Sequence, residues 1–315
     1  MEHVVFLDRA TLKANVRRPA FAHVWEEHGQ TPEAEAIARL AKATIAITNK
    51  VPISRAALEQ LPDLKMIAVA ATGYNIIDIA ACGEHGVAVA NIRNYAVHTV
   101  PEHVFALILA LKRNILAYHA DIQRGRWQMH DQFCFFDHRI GDLHGSTLGI
   151  IGAGTLGRET ARIAQAFRMR VLYVESLRGA SADGDRIPLD QLLAESDIVS
   201  LHCPLTDATR NLLGERELRL MRSNALLINT ARGGLVDEAV LARALTEGWI
   251  AGAGFDVLTQ EPPKTGNPLL EIRTPNFILT PHIAWASDEA MQILADQLIA
   301  NIEAFIAGKS QNLVT

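Results

Sequence analysis

Three predicted strands in the second half of the chain end on side chains that could bind anions and move protons. Arg232 lies in NTARGG, Asp256 and Glu261 in GFDVLTQEPP, and His282 in TPHIAWAS. An arginine can hold a carboxylate through two parallel hydrogen bonds. A histidine can give or take a proton near neutral pH, and a carboxylate behind it orients the ring and stabilises its charged form. Together with a dinucleotide, this set meets the needs of a 2-oxo-acid reductase.

A glycine-rich motif in the same half predicts where a dinucleotide would bind. A short apolar strand leads into GAGTLG, an amphipathic helical pattern follows, and a second apolar strand ends on Glu175. Gly152 allows a tight turn, Gly154 lets the backbone approach a pyrophosphate, and Gly157 lets helix and strand pack closely. The first turn of the helix then offers free N–H groups to the phosphates.

The end of that second strand predicts a preference for NAD over NADP. The Glu175 carboxylate is placed to accept hydrogen bonds from the ribose hydroxyls and to repel a 2′-phosphate. Arg178, three residues further on, could turn towards such a phosphate and offset part of the repulsion. We therefore expect NAD to be preferred without NADP being excluded.

Each polar residue also has a purely structural interpretation. Arg232 could lie on the surface, Glu261 could start a turn before two prolines, and His282 could be a satisfied core histidine. Asp256 could cap a turn, and Trp285 is as readily explained by packing as by substrate contact. The position of the polar residues favours the catalytic interpretation, because ligands bind at the carboxyl ends of strands in open α/β sheets.

Strands and helices alternate along the whole chain, which predicts an α/β protein. Continuous apolar strands joined by helices are typical of parallel sheets covered on both faces. We expect two Rossmann-like or flavodoxin-like lobes with a cleft between them, linked by a helix that begins with a capping box at 99–102 and runs to about residue 124. The expected strands are 4–7, 44–48, 64–70 and 87–92 in the first lobe, and 148–152, 170–175, 198–203, 225–230, 250–257 and 277–281 in the second.

Composition excludes several classes of protein. With 315 residues, 49% of them hydrophobic and 21% charged, the chain has the composition of an ordinary globular protein with two domains. A net charge of −5 argues against nucleic-acid binding. The three widely spaced cysteines show no metal-binding pattern and fit a reducing compartment. Without a signal peptide or a long apolar run, we expect a soluble cytoplasmic protein that binds neither membranes nor metals.

Beyond single motifs, the sequence resembles the D-isomer-specific 2-hydroxyacid dehydrogenases along essentially the whole chain. The matching segments include ATGYNIIDIAA, TVPEHVFALILALKR, LGIIGAGTLGR, HCPLTDATRNLL and NTARGGLVDE. Within that family the chain is most similar to the glycerate dehydrogenase (hydroxypyruvate reductase) branch. The ATGYN loop, the FCFFD segment and the tryptophan of HIAWAS carry this closer resemblance.

The resemblance implies a role for each candidate residue. Arg232 would bind and polarise the substrate, His282 would be the acid/base, and Glu261 would be its partner. The amides of Thr72 and Gly73 would hold the substrate carboxylate, and Trp285 would also contact the substrate. The implied cofactor-binding residues are Gly152, Gly154, Thr155, Leu156, Gly157, Glu175, Cys203, Pro204, Thr209, Thr230, Ala231 and Asp256.

The resemblance also implies a domain organisation and a substrate class. Residues 286–315 would return to the first lobe, giving a discontinuous substrate-binding domain of 1–98 with 286–315 and an NAD-binding domain of 99–285. The protein would be a homodimer acting on a small 2-oxo or D-2-hydroxy acid. Hydroxypyruvate with D-glycerate, or glyoxylate with glycolate, would be the expected pairs.

Other functions share the same residues and stay open at this stage. Phosphoglycerate, D-lactate and phosphite dehydrogenases fit the three catalytic residues equally well, whereas formate dehydrogenase has glutamine where Glu261 stands. A nucleotide-sensing scaffold of the corepressor type has the same fold and polar residues but a different role. A turnover assay would separate the scaffold from the enzymes.

Overall fold

The computed structural model describes residues 1–175 and 186–314, and the chain divides into two compact units. Unit 1 consists of Met1–Tyr95 with Ala286–Thr315, and unit 2 of Ala96–Trp285. The sequence predicts a domain of 1–98 with 286–315 and a domain of 99–285. Each unit contains one parallel sheet with helices, so the predicted α/β class is confirmed.

Unit 1 is built on a five-stranded sheet in which every strand pair is parallel. The strands are β1 (Glu2–Phe6), β2 (His23–Glu27), β3 (Ile45–Thr48), β4 (Met66–Val69) and β5 (Ala88–Ala90). They lie in the order β2-β1-β3-β4-β5. The connecting helices are α1 (Ala36–Leu40), α2 (Arg55–Leu58) and α3 (Ile79–Glu84). The central strands β3 and β4 are buried at every residue, as expected of a sheet covered on both faces.

Unit 2 carries a seven-stranded parallel sheet and begins with the helices α4 (Thr99–Lys112) and α5 (Ile115–Gln123). The first strands are β6 (Thr147–Ile151), β7 (Arg170–Val174), β8 (Arg186–Ile187) and β9 (Ile198–Leu201). The remaining strands are β10 (Leu226–Asn229), β11 (Gly252–Phe255) and β12 (Phe277–Leu279). The helices between them are α6 (Thr155–Ala166), α7 (Leu189–Glu195), α8 (Glu215–Leu220) and α9 (Glu238–Thr246). The strand order is β12-β11-β10-β9-β6-β7-β8.

Alternate residues of the unit 2 strands enter two separate apolar clusters, one on each face of the sheet. Ile150 and Ile228 pack with α4 residues such as Val104, whereas their neighbours Ile151 and Leu227 pack into the opposite cluster. Because successive strand side chains point to opposite faces, continuous apolar strands supply both clusters at once. Because β11, β10, β9 and β6 are parallel neighbours in the sheet, their carboxyl ends lie along one edge.

The final helix, α10 (Asp288–Ile306), belongs to unit 1. Its start agrees with the sequence, because the Ser287 hydroxyl accepts a hydrogen bond from the Ala290 N–H at 3.2 Å. Asp288 and Glu289 in the first turn also favour a helix N-terminus.

Two strands of the structure are missing from the sequence-based prediction. None of the five residues of β2 is buried, and β8 is only two residues long. Both are edge strands, each bonded to one neighbour. An edge strand needs no continuous apolar run, so the pattern that indicates the central strands is weak or absent there.

The predicted linking helix is wrong in two respects. It is interrupted between α4 and α5, where Asn114 takes a left-handed conformation with φ of 50°, which asparagine adopts more readily than most residues. The capping box is also absent: α4 begins at Thr99, and the Thr99 hydroxyl instead donates to the Ala284 carbonyl at 3.2 Å. That distant acceptor is not visible in the local sequence.

None of the helices within residues 1–175 and 186–314 is long and apolar enough to span a membrane. Nor, in that part of the chain, are three His, Cys, Asp or Glu side chains grouped so that they could hold a metal ion.

Candidate active site

The glycine loop after β6 has the geometry that its three glycines predict. Gly152 has φ of +108°, and a Cβ on it would lie 2.6 Å from the Cys203 nitrogen. A Cβ on Gly157 would lie 2.1 Å from the Gly152 carbonyl oxygen, so α6 can pack this closely only without a side chain there. Around Gly154, by contrast, a Cβ would meet no atom within 4 Å. Two glycines therefore shape the loop, and the third leaves its outer surface open.

An open pocket of about 600 Å³ lies against this loop and the first turns of α6. It is lined by Val97, Ala153, Gly154, Thr155, Arg158, Glu159 and Arg162. Gly154 is the N-cap of α6, and no side chain caps the first amides of the helix. Thr155 is exposed and Leu156 is half-buried. Free amides, a positive helix end and a pocket without a Cβ at Gly154 suit a pyrophosphate, so these residues fit a dinucleotide.

Arg158 is a pocket residue that sequence reasoning missed. Its Nε donates a hydrogen bond to the Ala153 carbonyl at 2.9 Å, which braces the glycine loop from the helix side. The available signal was a basic residue directly after the third glycine, on the first turn of α6.

Glu175 directly follows β7, the strand next to β6. Its side chain is exposed, and its backbone N–H donates to the Ile187 carbonyl of β8 at 2.9 Å. The carboxylate is thus carried on an anchored backbone at the carboxyl end of the strand. Arg178, which is predicted to offset part of the repulsion between this carboxylate and a 2′-phosphate, lies outside the described residues.

The segment after β9 closes over the same glycine loop. Cys203 is buried beside Gly152, and this burial raises the pKa of its thiol to about 11. The Thr209 hydroxyl is buried as well, donating to the Pro204 carbonyl at 2.8 Å and accepting from the Thr206 N–H at 2.7 Å. Thr209 therefore holds the shape of this segment, and Cys203 stays uncharged.

The carboxyl end of β10 is shaped by the buried amide of Asn229. Its Nδ2 donates to the Arg232 carbonyl at 2.9 Å, and its Oδ1 accepts from the Ala231 N–H at 3.0 Å. The Thr230 hydroxyl is buried, with no hydrogen-bond partner among the described residues. Asn229 thus fixes the backbone from which the Arg232 side chain extends.

The guanidinium of Arg232 is exposed and available to an anion. Nη1 donates to the adjacent Ala231 carbonyl at 2.7 Å. In the described ranges no carboxylate lies within ion-pair distance of it, unlike most other arginines of unit 2. An arginine in this state can offer its other N–H groups to a substrate carboxylate.

Gly233 connects the Arg232 turn to the turn that carries Glu261. A Cβ on Gly233 would lie 2.0 Å from the carbonyl carbon and oxygen of Leu258, so the two backbones touch. The Leu258 N–H in turn donates to Glu261 Oε1 at 2.8 Å. One of the two Glu261 oxygens is therefore held by the same backbone against which the Arg232 turn packs.

The other oxygen of Glu261 bonds His282. Glu261 Oε2 and His282 Nδ1 are 2.5 Å apart, and the two side chains are 32% and 29% exposed. Because Nδ1 carries its proton towards the carboxylate, Nε2 is the nitrogen free to exchange a proton with a ligand. His282 has φ of +57°, a left-handed conformation that turns the chain sharply after β12.

The loop that carries His282 is held by the buried carboxylate of Asp256. Asp256 is 1% exposed and accepts hydrogen bonds from the Ile283 N–H at 2.9 Å and the Ala284 N–H at 2.8 Å. The Thr280 hydroxyl donates to the same carboxylate at 2.5 Å. His103 Nε2 lies 3.0 Å from that hydroxyl, a position for which the sequence contains no signal. Asp256 therefore positions His282, and its contact with a cofactor stays a prediction.

Trp285 lies against the same loop. Its Nε1–H donates to the His282 carbonyl at 2.9 Å, and its side chain is half-buried. The indole thus helps to fix the unusual backbone of the histidine. Its contact with substrate stays a prediction.

Thr72 and Gly73 follow β4 in unit 1. The Thr72 hydroxyl donates to the Ile92 carbonyl at 2.8 Å, and the Thr72 carbonyl accepts from Asn91 Nδ2 at 2.8 Å. Among the residues that the structure describes, the amide N–H groups of Thr72 and Gly73 have no hydrogen-bond partner. Two adjacent free amides can bind a carboxylate, and this role stays a prediction.

Gly154 and Gly157, both in the glycine loop after β6, give a matched pair of variants. Gly157→Ala is expected to lower the free energy of unfolding by about 1–3 kcal/mol or more, because its methyl overlaps the Gly152 carbonyl. Gly154→Ala is expected to leave the melting temperature unchanged and to weaken NADH binding about tenfold or more. Thermal unfolding without cofactor and fluorescence titration with NADH measure the two effects. Normal NADH binding by Gly154→Ala would show that the pyrophosphate does not approach this loop.

Comparisons with known proteins agree with this geometry. Residues 105–284 match the model of the D-isomer specific 2-hydroxyacid dehydrogenase NAD-binding domain. A glycerate dehydrogenase of Methylorubrum extorquens is 54% identical over 99% of this chain and 98% of its own length. A hydroxypyruvate reductase of Blautia hydrogenotrophica is 35% identical over 92% and 91%.

A solved structure extends the agreement to the whole fold. An acyclic imino acid reductase in complex with NADPH and D-Arg superposes with a TM-score of 0.86 and 31% identity. The match covers 99% of this chain and 100% of that one. The glycine loop, the Glu261–His282 pair and these matches together lead to one conclusion: the chain belongs to the D-isomer specific 2-hydroxyacid dehydrogenase family and is an NAD(P)-dependent enzyme.

Proposed function

We propose that the enzyme interconverts a small, unphosphorylated 2-oxo acid and its D-2-hydroxy acid, with hydroxypyruvate and D-glycerate as the preferred pair. Glyoxylate and glycolate form the second pair. The 54% identity to a glycerate dehydrogenase along the full chain supports the first choice. The turns around Arg232, Glu261 and His282 contain no further arginine that could bind a substrate phosphate.

The Glu261–His282 pair is the observation that carries the chemistry. When bound, the nicotinamide supplies or accepts the hydride at the substrate C2. His282 donates a proton from Nε2 to the carbonyl oxygen in reduction and takes it back from the hydroxyl in oxidation. Glu261 holds Nδ1 at 2.5 Å, so the ring keeps one orientation and presents Nε2 to the substrate.

The substrate carboxylate is assigned to Arg232 and to the free amides of Thr72 and Gly73. Arg232 extends from a backbone fixed by Asn229 and has no carboxylate partner in the described ranges. A planar guanidinium can bind a carboxylate oxygen and the oxo group together, which orients and polarises the carbonyl. This division of tasks leaves His282 as the proton carrier.

A comparison of substrates tests the proposal. Initial rates of NADH and NADPH oxidation are measured with hydroxypyruvate, glyoxylate, pyruvate, phenylpyruvate and 3-phosphohydroxypyruvate. We expect the highest kcat/KM for hydroxypyruvate, followed by glyoxylate, with chiral products of the D configuration. An L product, or a preference for the phosphorylated acid, contradicts the proposal.

We further propose that NAD(H) is preferred, on the strength of the Glu175 carboxylate. It stands exposed at the end of β7, where it would accept hydrogen bonds from the ribose hydroxyls of NAD and repel a 2′-phosphate. Solvent at this rim relieves most of the repulsion, so we expect a preference of about 10- to 100-fold. Glu175→Gln should narrow the gap, mainly by improving kcat/KM for NADPH.

The control for this prediction is Glu271→Gln, which removes another exposed carboxylate of unit 2, one that does not line the pocket at the glycine loop. It should leave the ratio of kcat/KM for NADH and NADPH unchanged. A wild-type enzyme that favours NADPH would show that another group outweighs Glu175.

Exposed apolar side chains in unit 2 support a homodimer as the working form. Eight of the ten large apolar side chains that are exposed in the described part of unit 2 lie within residues 115–140, among them Trp127 at 49%, Met129 at 74%, Phe133 at 86% and Phe136 at 81% exposure. Large exposed apolar side chains gathered in one segment are typical of an interface. Sedimentation equilibrium should give twice the chain mass of 34.5 kDa, and a single-chain mass at micromolar concentration would reject the dimer.

A further inference from the structure

Three asparagines of unit 1 form a hydrogen-bonded cluster, to which Asn301 and Asn312 contribute their side-chain amides and Asn91 its backbone. Asn301 lies in α10 and is 1% exposed, and Asn91 follows β5 and is 4% exposed. Asn301 Nδ2 donates to the Asn91 carbonyl at 2.9 Å, and Asn301 Oδ1 accepts from Asn312 Nδ2 at 2.9 Å. The Asn91 N–H donates to the Asn312 carbonyl at 3.2 Å. Each asparagine is thus hydrogen-bonded to both of the others.

The segment after α10 is drawn into this cluster by pairing with β5. Leu313 forms an antiparallel bridge with Ala90, and the Val314 N–H donates to the Val89 carbonyl at 2.9 Å. Asn312 has φ of +55°, which turns the chain back towards the sheet. The open edge of β5 is therefore covered by the chain's own last residues.

The side chain of Asn91 connects the cluster to Thr72, which with Gly73 supplies the amides proposed to bind the substrate carboxylate. Its Nδ2 donates to the Thr72 carbonyl at 2.8 Å, and its Oδ1 accepts from Arg93 Nε at 3.3 Å. The Thr72 hydroxyl is held separately by the Ile92 carbonyl. With its carbonyl and hydroxyl both fixed, the peptide that joins Thr72 to Gly73 can take only one orientation, and this orientation sets where the Gly73 N–H points.

We propose that Asn91 is a positioning residue for the substrate carboxylate, and that Asn301 and Asn312 act through it. The inference rests on the proposed function of the Thr72 and Gly73 amides. The cluster aims these N–H groups before substrate arrives, so binding does not have to order the loop. The covering segment after α10 is thereby part of the substrate-binding apparatus, although it does not itself reach the carboxylate loop.

Asn91→Ala is the direct test. Loss of the Nδ2 bond frees the Thr72 carbonyl, so KM for hydroxypyruvate and the inhibition constant of oxamate should both rise about tenfold. The value of kcat should change less than about threefold, because the proton carrier lies in unit 2. The dissociation constant of NADH should be unchanged. A purely structural role would lower the melting temperature without this split between KM and kcat.

Asn312→Gly removes only side-chain hydrogen bonds and keeps the backbone conformation, so a smaller effect on KM is expected than for Asn91→Ala. Glycine adopts positive φ without strain, so only the side-chain bonds to Asn301 and Gln297 are lost. We expect KM to rise about threefold. Gln311→Gly, the exposed neighbouring position, is the matched control and should leave KM unchanged.

A double-mutant cycle decides whether Asn312 acts through Asn91. In the Asn91→Ala background, Asn312→Gly should raise KM no further, because the connection is already broken. Additive effects, or an unchanged KM in both single variants, would overturn the inference. A wild-type chain that reduces no 2-oxo acid would instead refute the proposed function, so the two failures are distinguishable.

Discussion

His282→Asn is expected to lose about 10²- to 10⁴-fold in kcat while keeping its affinity for NADH, because a positioned acid/base contributes about that much. Asparagine suits the site: the residue at 282 has φ of +57°, which asparagine tolerates and β-branched residues do not. The variant therefore removes the proton carrier without disturbing the turn after β12. Stopped-flow reduction of hydroxypyruvate and fluorescence titration with NADH measure the two quantities.

The matched control is His144→Asn, an exposed histidine of the same unit, which should behave as wild type. His202 is not an alternative proton donor, because burial lowers its pKa to about 4 and keeps it neutral at working pH. Wild-type turnover in the His282 variant would remove the histidine from the reaction.

Arg232→Ala should lower kcat/KM for hydroxypyruvate by roughly 10²- to 10³-fold, since it leaves the substrate carboxylate without its charged partner. Arg232→Lys should recover little of this loss, because an ammonium is a point charge and cannot bind a carboxylate and an oxo group side by side. Steady-state kinetics over a range of oxo-acid concentrations provides the comparison.

Arg273→Ala is the control for a lost surface arginine, and its kcat/KM should be unchanged. If lysine at position 232 restored full activity, charge alone would be the contribution of Arg232. If alanine were also fully active, the carboxylate would have to bind elsewhere.

The parts of this molecule that the sequence predicts correctly are those determined by short-range geometry. GAGTLG indicates a strand, a tight turn and a helix because each glycine answers a local steric need, and the structure has β6, the turn and α6 in that order. The central strands follow from their apolar runs for the same reason. Ser287 is recognisable as a helix cap because the amide it accepts from, that of Ala290, lies only three residues away.

The parts that the sequence does not reveal depend on partners far along the chain. The Thr99 hydroxyl bonds Ala284, so a segment that resembles a capping box does not act as one. The carboxylate of Asp256 holds the His282 loop from across β11 and β12, and its role is visible only when those strands are paired. The edge strand β2 has no buried residue to mark it. Sequence pattern reports burial and local turns, whereas hydrogen bonds between distant segments need the fold.

The placement of Glu175 also bears on how easily the coenzyme could change during evolution. The backbone at this position is anchored by Ile187 on β8, while the side chain is exposed. Substitutions there should therefore alter the charge at the proposed ribose site with little effect on the free energy of unfolding. In an environment rich in NADP, a single codon change at position 175 could therefore be enough to change the coenzyme preference. The acid/base pair and the glycine loop would be inherited intact.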